Sequence, residues 1–351
     1  MAAAKFRVAL SGDFRRPDST PSFPDFDLSP LLDDWRIECD YLEPADEIRA
    51  AQIAEHDALI LLAPRFGTTS IHPNGRLAMV ARFGVGYDNV DVAACTAAGI
   101  AVVITPDGVR RPVAVAILTM ILALAGKLMV KDRLTRQGPE GFAKRSQQMG
   151  TGLVSRTLGS IGVGNIGSEI FRLAKPFDMN FIAHDPYVDE AVFRSLGVEM
   201  VDLEALFRRS DILTVNCPLM DSTRHLVNAE RLALMKPTAY FINTARGPIV
   251  DQKSLTRVLQ ERRIAGAGLD VLEQEPPAAD DPILRLDNVV FAPHALCWTD
   301  QCFAGIGASD VAAVLDLVSG REPKAVVNRT VLATQSWKDR LARYASRFGS
   351  S

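Results

Sequence analysis

Ile161-Gly-Val-Gly-Asn-Ile-Gly167 follows an apolar, strand-like run and opens a helix-like one near the middle of the chain. Residues 157–162 predict a strand, and residues 167–177, with Ile170, Leu173, Ala174 and Phe177 at helical spacing, predict a helix. In the turn, Gly162 would permit the tight reversal, Gly164 the close approach of a pyrophosphate, and Gly167 the packing of helix on strand. Three glycines at this spacing carry little weight alone. The next strand-like run, Asn180–His184, however, ends at Asp185, 18 residues beyond Gly167, where a dinucleotide-binding unit places the acid for the adenosine ribose. Strand, turn, helix and acid are thus in register for a dinucleotide site in the second half of the chain.

Outward from this turn, strand-like and helix-like runs alternate from end to end, the pattern of parallel sheets covered by helices. Two sheets fit better than one. The first series is Phe6–Leu10, 58–63, 77–83 and 100–104; the second starts at the glycine-rich turn and continues with 212–216, 239–243, 265–270 and 289–292. No glycine-rich turn follows Phe6–Leu10, so the first sheet is expected to hold substrate. The tail after about Cys297 has amphipathic stretches at 304–318 and 337–348 that would pack back on it. Residues 131–152 are polar and weakly periodic, either an exposed excursion or an arm that reaches another subunit.

With 351 residues, 48% of them hydrophobic, the chain can fill two cores. Its net charge of −3 comes from interspersed charges without a Lys/Arg run, so neither nucleic acid nor a membrane surface is an expected partner. The richest apolar run, 113–125, is short of the ~20 uninterrupted residues of a spanning helix and starts beside Arg110 and Arg111. The stretch leading into Phe6–Leu10 lacks the long apolar core of a signal peptide. Five cysteines, Cys39, Cys95, Cys217, Cys297 and Cys302, show no metal-like pairing; reduced thiols in a cytoplasmic protein without a metal site are the expectation.

If a nicotinamide cofactor lies along the carboxyl ends of the second sheet, reactive residues should come from the loops after its strands. Three loops stand out: Ala245-Arg246-Gly247, Asp270-Val-Leu-Glu-Gln-Glu275 and Pro293-His294. Oxidising an alcohol by hydride removal requires a group that takes the hydroxyl proton, and imidazole titrates in the right range. Of five histidines, His56 and His72 lie in polar segments of the first half, His225 in a loop after Thr223-Arg224, and His184 beside the ribose acid. That leaves His294. Glu275 could pair with it and favour imidazolium, and Arg246 could bind a carboxylate in bidentate fashion and polarise a carbonyl.

These residues resemble the D-isomer-specific 2-hydroxyacid dehydrogenases, from about Ala81 to Thr299. The matching runs are Arg82-Phe-Gly-Val-Gly-Tyr-Asp-Asn-Val-Asp91, Gly162 to Gly167, Cys217-Pro-Leu219 with Thr223, and Met235-Lys-Pro237. Ile242-Asn-Thr-Ala-Arg-Gly247, Gly266-Ala-Gly-Leu-Asp-Val271, Glu275-Pro276 and Pro293-His294 complete the series, with 19 residues from Glu275 to His294. The resemblance implies two doubly wound parallel-sheet α/β domains separated by a cleft: a flavodoxin-like substrate domain, 1–110 plus 296–351, and a Rossmann NAD-binding domain, 111–295. It implies that Arg246 binds the substrate carboxylate and carbonyl, that His294 exchanges the proton, and that Glu275 holds His294. The backbone N–H groups of Val85 and Gly86 would also meet the carboxylate. Asn165 and Ile166 would lie under the pyrophosphate, Cys217, Pro218, Thr223, Thr244 and Ala245 along the cofactor, and Asp270 by the nicotinamide carboxamide. Asp185 would favour NAD over NADP. A homodimer is implied as well, with 131–152 as a contact.

The chain also departs from the family pattern. Val115 stands where the family usually has an acid before its long interdomain helix, and Arg110 and Arg111 are either solvated charges or contacts for an anionic substrate tail. His294-Ala-Leu-Cys-Trp-Thr299 replaces a small, glycine-rich sequence, so Trp298 either walls the substrate pocket or packs near the hinge. Arg65 is a substrate contact or a plain surface charge. The expected activity is reduction of a small 2-oxo acid, glyoxylate or hydroxypyruvate first. The alternatives are a phosphoglycerate-dehydrogenase-like enzyme and an NAD-sensing binding protein of the corepressor type.

Overall fold

The computed structural model describes residues 5–349; Met1 to Ala4, at the start of the chain, lie outside it. Contacts divide the chain into two compact units, one of Met1–Val109 with Trp298–Ser351 and the other of Arg110–Cys297. Each is built on an all-parallel sheet, which demands that helices or long loops return the chain over its faces.

In the first unit the strands β1 (Phe6–Leu10), β2 (Ile37–Tyr41), β3 (Ala58–Leu61), β4 (Met79–Arg82) and β5 (Ala101–Val103) take the order β2-β1-β3-β4-β5. This is the flavodoxin-like order. Strand β2 was not anticipated: Ile-Glu-Cys-Asp-Tyr is an edge strand with one partner, and only Ile37 is fully buried, so its apolar signal is weak. The two ends of the chain meet here. Asn328 accepts a hydrogen bond from the Val102 amide at 2.9 Å and donates to Thr96 Oγ1 and the Ile100 carbonyl. Farther on, the helix Gln335–Phe348 buries Trp337 and sets Tyr344 edge-on to Phe6 at 5.1 Å.

The second unit contains β6 (Thr157–Ile161), β7 (Asn180–His184), β8 (Glu199–Met200), β9 (Ile212–Val215), β10 (Tyr240–Asn243), β11 (Gly266–Leu269) and β12 (Val289–Phe291). Their order is β12-β11-β10-β9-β6-β7-β8, a Rossmann sheet whose strand order reverses beside β6. Alternation along β10 sends Phe241 to one core and Tyr240 and Ile242 to the other. The first face is covered by the helices Leu203–Arg209 and Gln252–Gln260 through Leu206, Phe207, Leu255, Val258 and Leu259. The second receives Ala114, Ile117, Ile121 and Leu124 from the helix Pro106–Ala125, together with Ile170, Phe171 and Ala174 from Asn165–Ala174. Each fully buried Phe, Leu or Ile stabilises the unit by roughly 1.5–3 kcal/mol.

Two sequence expectations change. The helix after the glycine-rich turn begins at Asn165, two residues earlier than the periodicity suggests, because the turn itself supplies its first residues. Residues 131–152 contain the end of the helix Leu128–Arg136 and the short helix Pro139–Ala143. Pro106–Ala125 and Asp300–Val318 are long and apolar enough in composition to cross a bilayer, although charges interrupt both; half of each is buried inside the protein. Val115 sits within the first of these, exposed.

Asn328→Ala would leave the Val102 amide buried without a partner, a loss of about 2 kcal/mol. The expected result is a lower urea midpoint for the mutant; an unchanged midpoint would mean that the Asn328 side chain contributes nothing to joining the two chain ends.

Candidate active site

In the second unit several loops at the carboxyl edge are fixed by a polar side chain in, or just after, the strand that leads into them. After β6, Ser160 Oγ donates to the Gly162 carbonyl at 2.6 Å, and Asn216, following β9, donates to Ser160 Oγ at 2.8 Å. Gly162 has φ +95°, and a Cβ there would come within 3.0 Å of the Asn216 and Cys217 backbone. A Cβ on Gly167 would meet the Gly162 carbonyl oxygen at 2.3 Å, so the helix can start this close to the strand only without a side chain. Gly164 differs. Its Cβ would meet nothing within 4 Å, so packing does not require a glycine there, whereas a ligand approaching the backbone does. Gly164 is also the N-cap of Asn165–Ala174 and supplies no side-chain cap, which sets the positive end of the helix dipole beside that open space.

Asp185, just past β7, accepts the Val163 amide on one oxygen at 2.8 Å and the Tyr187 amide on the other at 2.9 Å. A carboxylate keeps lone pairs beyond two such bonds, so Asp185 could also accept ribose hydroxyls and would disfavour a 2′-phosphate. Burial pushes the Cys217 thiol up to about 11, so it stays protonated. Thr223 Oγ1 closes its own loop, donating to the Pro218 carbonyl at 2.7 Å and accepting the Met220 amide. The hydroxyl of Thr244 is buried and makes no hydrogen bond to a described residue.

The remaining loops bring Arg246, Glu275 and His294 together. Asn243, buried at the end of β10, accepts the Ala245 amide at 3.0 Å and donates to the Arg246 carbonyl at 3.0 Å, fixing the backbone on both sides of the Arg246 side chain. The next residue, Gly247, lies so near Leu272 that a Cβ would come within 1.8 Å of the Leu272 carbonyl oxygen. This approach packs the Arg246 loop against the Leu272–Glu275 turn. Glu275 accepts the Leu272 amide on Oε1 at 2.9 Å and meets His294 Nδ1 on Oε2 at 2.8 Å. Burial opposes ionisation of Glu275, yet the hydrogen bond from His294, the Leu272 amide and the charges of His294 and Arg246 outweigh it and hold the carboxyl below its ordinary pKa.

His294 adopts φ +55°, a left-handed conformation that costs a non-glycine residue about 1 kcal/mol or more. Asp270 offsets that cost. Its carbonyl accepts the His294 amide at 2.7 Å, and its carboxylate accepts the Ala295 and Leu296 amides. Burial nevertheless raises the Asp270 pKa, with those two amides working against the shift. Asn243 and the clamping role of Asp270 were not found by sequence reasoning, although a polar residue closing an apolar strand was the available signal. His225 is paired instead with Glu273, at 2.6 Å. His184 Nδ1 faces the Val201 carbonyl at 3.0 Å.

Of the remaining candidates, Arg111 is an ion-pair partner of buried Glu169 at 2.9 Å, which assigns its charge within the second unit. In the first unit, the amides of Val85 and Gly86, just past β4, donate to no described residue, as an anion cradle requires. Arg65 is exposed at the carboxyl side of β3. Trp298 is 54% exposed and rests edge-on against Phe23 and Phe303, at 5.7 and 5.4 Å.

Two family models match the chain: the D-isomer specific 2-hydroxyacid dehydrogenase NAD binding domain over residues 118–295, and the catalytic domain of the same family over residues 24–120. A glyoxylate reductase of Korarchaeum cryptofilum is 37% identical over 303 residues, covering 86% of this chain and 90% of its own. The chain belongs to the D-isomer-specific 2-hydroxyacid dehydrogenases. It is therefore an NAD-dependent oxidoreductase acting on 2-hydroxy or 2-oxo acids. A D-3-phosphoglycerate dehydrogenase of Methanocaldococcus jannaschii is 40% identical over 254 residues, but the match spans 72% of this chain and 48% of that longer protein. Among solved structures, D-lactate dehydrogenase from Aquifex aeolicus complexed with NAD and lactic acid superposes with a TM-score of 0.77 at 27% identity, covering 92% of this chain and 99% of that one. The open space at Gly164, the uncapped helix start and the Asp185 carboxylate fit the NAD of this dehydrogenase family.

A carboxyl whose pKa is lowered by folding binds fewer protons folded than unfolded, so its contribution is present above the unfolded value and lost as pH falls through the folded one. Glu275 should therefore add stability that disappears below about pH 4.5. Thermal melts of the native protein and of Glu275→Gln should converge as pH is lowered from about 6 to 3; a constant gap between them would show that the carboxylate charge is not what holds His294.

Proposed function

We propose that this dehydrogenase reduces small 2-oxo acids, glyoxylate or hydroxypyruvate foremost, with Arg246, Glu275 and His294 as its catalytic residues. The observation that carries the reading is the 2.8 Å contact of His294 Nδ1 with Glu275, one tightly packed loop away from Arg246. The contact directs the proton of the ring to be shared with Glu275 at Nδ1, leaving Nε2 to give a proton to the substrate oxygen in reduction and to take it back in oxidation. Glu275, held ionised, stabilises the charged ring and fixes its plane. The guanidinium of Arg246 suits a planar carboxylate and the adjoining carbonyl, where it would draw charge onto the oxygen that His294 protonates. NAD(H), when bound, supplies or accepts the hydride.

The small size of the acid is supported by the near full-length likeness to a protein named glyoxylate reductase. We also place the enzyme in the cytoplasm, in keeping with the free thiols of Cys39, Cys95 and Cys217, and read it as a homodimer. The reason for the dimer is the run of large apolar side chains that the second unit leaves exposed between positions 122 and 154, namely Leu122, Leu128, Met129, Phe142, Met149 and Val154. Size-exclusion chromatography with light scattering should return twice the 38.2 kDa chain mass; a monomer at micromolar concentration would remove the dimer.

Consumption of NADH should be measured with glyoxylate, hydroxypyruvate, phosphohydroxypyruvate, pyruvate and bulkier 2-oxo acids. His294→Asn should lower kcat by about 10²–10⁴ while NADH affinity stays within a few-fold. Arg246→Ala should raise KM as well as lower kcat, costing about 10- to 100-fold in kcat/KM. Full activity in either variant would overturn the assigned roles. Preference for the phosphorylated acid would favour phosphoglycerate-dehydrogenase-like chemistry, and tight NADH binding without turnover on any acid would favour a cofactor-sensing protein.

A further inference from the structure

The amino edge of the first sheet carries a second concentration of charge, unrelated to the residues above. There, the turn before β4 and the helix Gln335–Phe348 enclose a cavity of about 270 Å³ whose charged lining is Asp57, Arg76, Arg340, Arg343 and Arg347. Asp57 immediately precedes β3 and Arg76 lies just ahead of β4, whereas Val85 and Gly86 follow β4. The cavity and that backbone cradle are thus separated by at least the length of a four-residue strand, about 13 Å.

The arginines differ in what they already bond. Arg76 is committed: it bonds both oxygens of Asp57, at 3.1 and 3.4 Å, and reaches Glu55 at 3.0 Å. Arg340 donates to the carbonyls of Leu77 and Gly75, at 2.6 and 2.9 Å, which ties the helix to the turn without cancelling a charge. Burial accordingly lowers its pKa. Arg343 and Arg347, one helical turn apart and both exposed, make no hydrogen bond or ion pair to a described residue; Arg347 lies over the ring of Phe348 at 5.1 Å. Among the described lining residues Asp57 is the sole acid, and it is occupied by Arg76, the Arg7 amide and the Tyr344 hydroxyl. Four guanidinium groups set against Asp57 and Glu55 leave two positive charges in excess. Like charges gathered around a recess repel one another, and an anion seated among them would offset that repulsion.

We infer that this recess is a binding site for a phosphate dianion, either free or as the phosphoryl group of a small metabolite, held by Arg343 and Arg347 with Arg340 behind them. Guanidinium forks match phosphate oxygens in pairs, and a dianion balances the excess charge. The volume equals that of about nine waters, room for a phosphoryl group with part of its carrier. Because the ligand would bridge the Gln335–Phe348 helix and the turn at Arg76, binding should stiffen the first unit.

The test is a thermal melt of the full chain with saturating NADH, which fills the pyrophosphate site, titrated with inorganic phosphate or glycerol 2-phosphate against chloride at matched ionic strength. The native protein should show a saturable rise of about 2 °C at twenty times half-saturation, with half-saturation near about 1 mM. Arg343→Ser with Arg347→Ser should abolish the rise while leaving NADH turnover on the preferred 2-oxo acid unchanged. Arg343→Lys with Arg347→Lys should retain it in weakened form. Tighter binding of the monoester would assign the site to a phosphorylated metabolite and equal binding to free phosphate. An equal rise in the native and Ser variants, or one that follows ionic strength without saturating, would overturn the proposal.

Discussion

A parallel sheet delivers the carboxyl ends of all its strands to one edge, and the second unit of this dehydrogenase depends on that constraint. Residues as far apart in sequence as Gly162, Asp185, Arg246, Asp270 and His294 share an edge because β6, β7, β10, β11 and β12 run in one direction. The direction cannot be changed at one strand without turning a crossover into a hairpin. What remains for individual residues is to fix the loops, and the polar residues at the strand ends do so. Ser160, Asp185, Asn216, Asn243 and Asp270 are all engaged with backbone or with one another within a few residues of the edge.

Two glycines translate this constraint into distances. Without a side chain on Gly167 the helix Asn165–Ala174 starts against the Gly162 carbonyl, so the helix dipole is aimed from a fixed point. Without one on Gly247 the Arg246 loop lies on the Leu272 backbone, and Arg246 comes near enough to Glu275 for its charge to help keep that carboxyl ionised. The left-handed backbone of His294 is held in the same way, by Asp270 from the neighbouring strand. Backbone strain at His294 thus persists because hydrogen bonds to one buried acid over-determine it.

Much of this was legible in the chain. The spacing of Gly162, Gly164, Gly167 and Asp185 indicated a Rossmann unit, and the loops after apolar strands pointed to Arg246, Glu275 and His294. The strands in the middle of each sheet were legible because both faces are buried and their residues are nearly all apolar, as in Ala58–Leu61 and Ile212–Val215. Of the four edge strands, β5 and β12 were legible as short apolar runs, whereas β2 and β8 escaped. In β2 charged residues alternate with apolar ones, and β8 is two exposed residues long, so neither carries the burial that writes a pattern into sequence.

The sequence by itself determined which chemistry-bearing side chains follow which strands, because local periodicity and turn glycines are short-range properties. Only the tertiary structure decided how those side chains are used. Arg111 is occupied by Glu169, 58 residues away, and nothing near Arg111 in the chain announces that partner. Asn243 and Asp270 act as clamps because burial denies their side chains water and leaves backbone amides and carbonyls as their partners. The arginines at positions 76 and 343 face one recess because the last helix returns to the amino edge of the first sheet. Contacts of that sequence separation are fixed by the packing of whole elements, and a linear pattern holds no record of them.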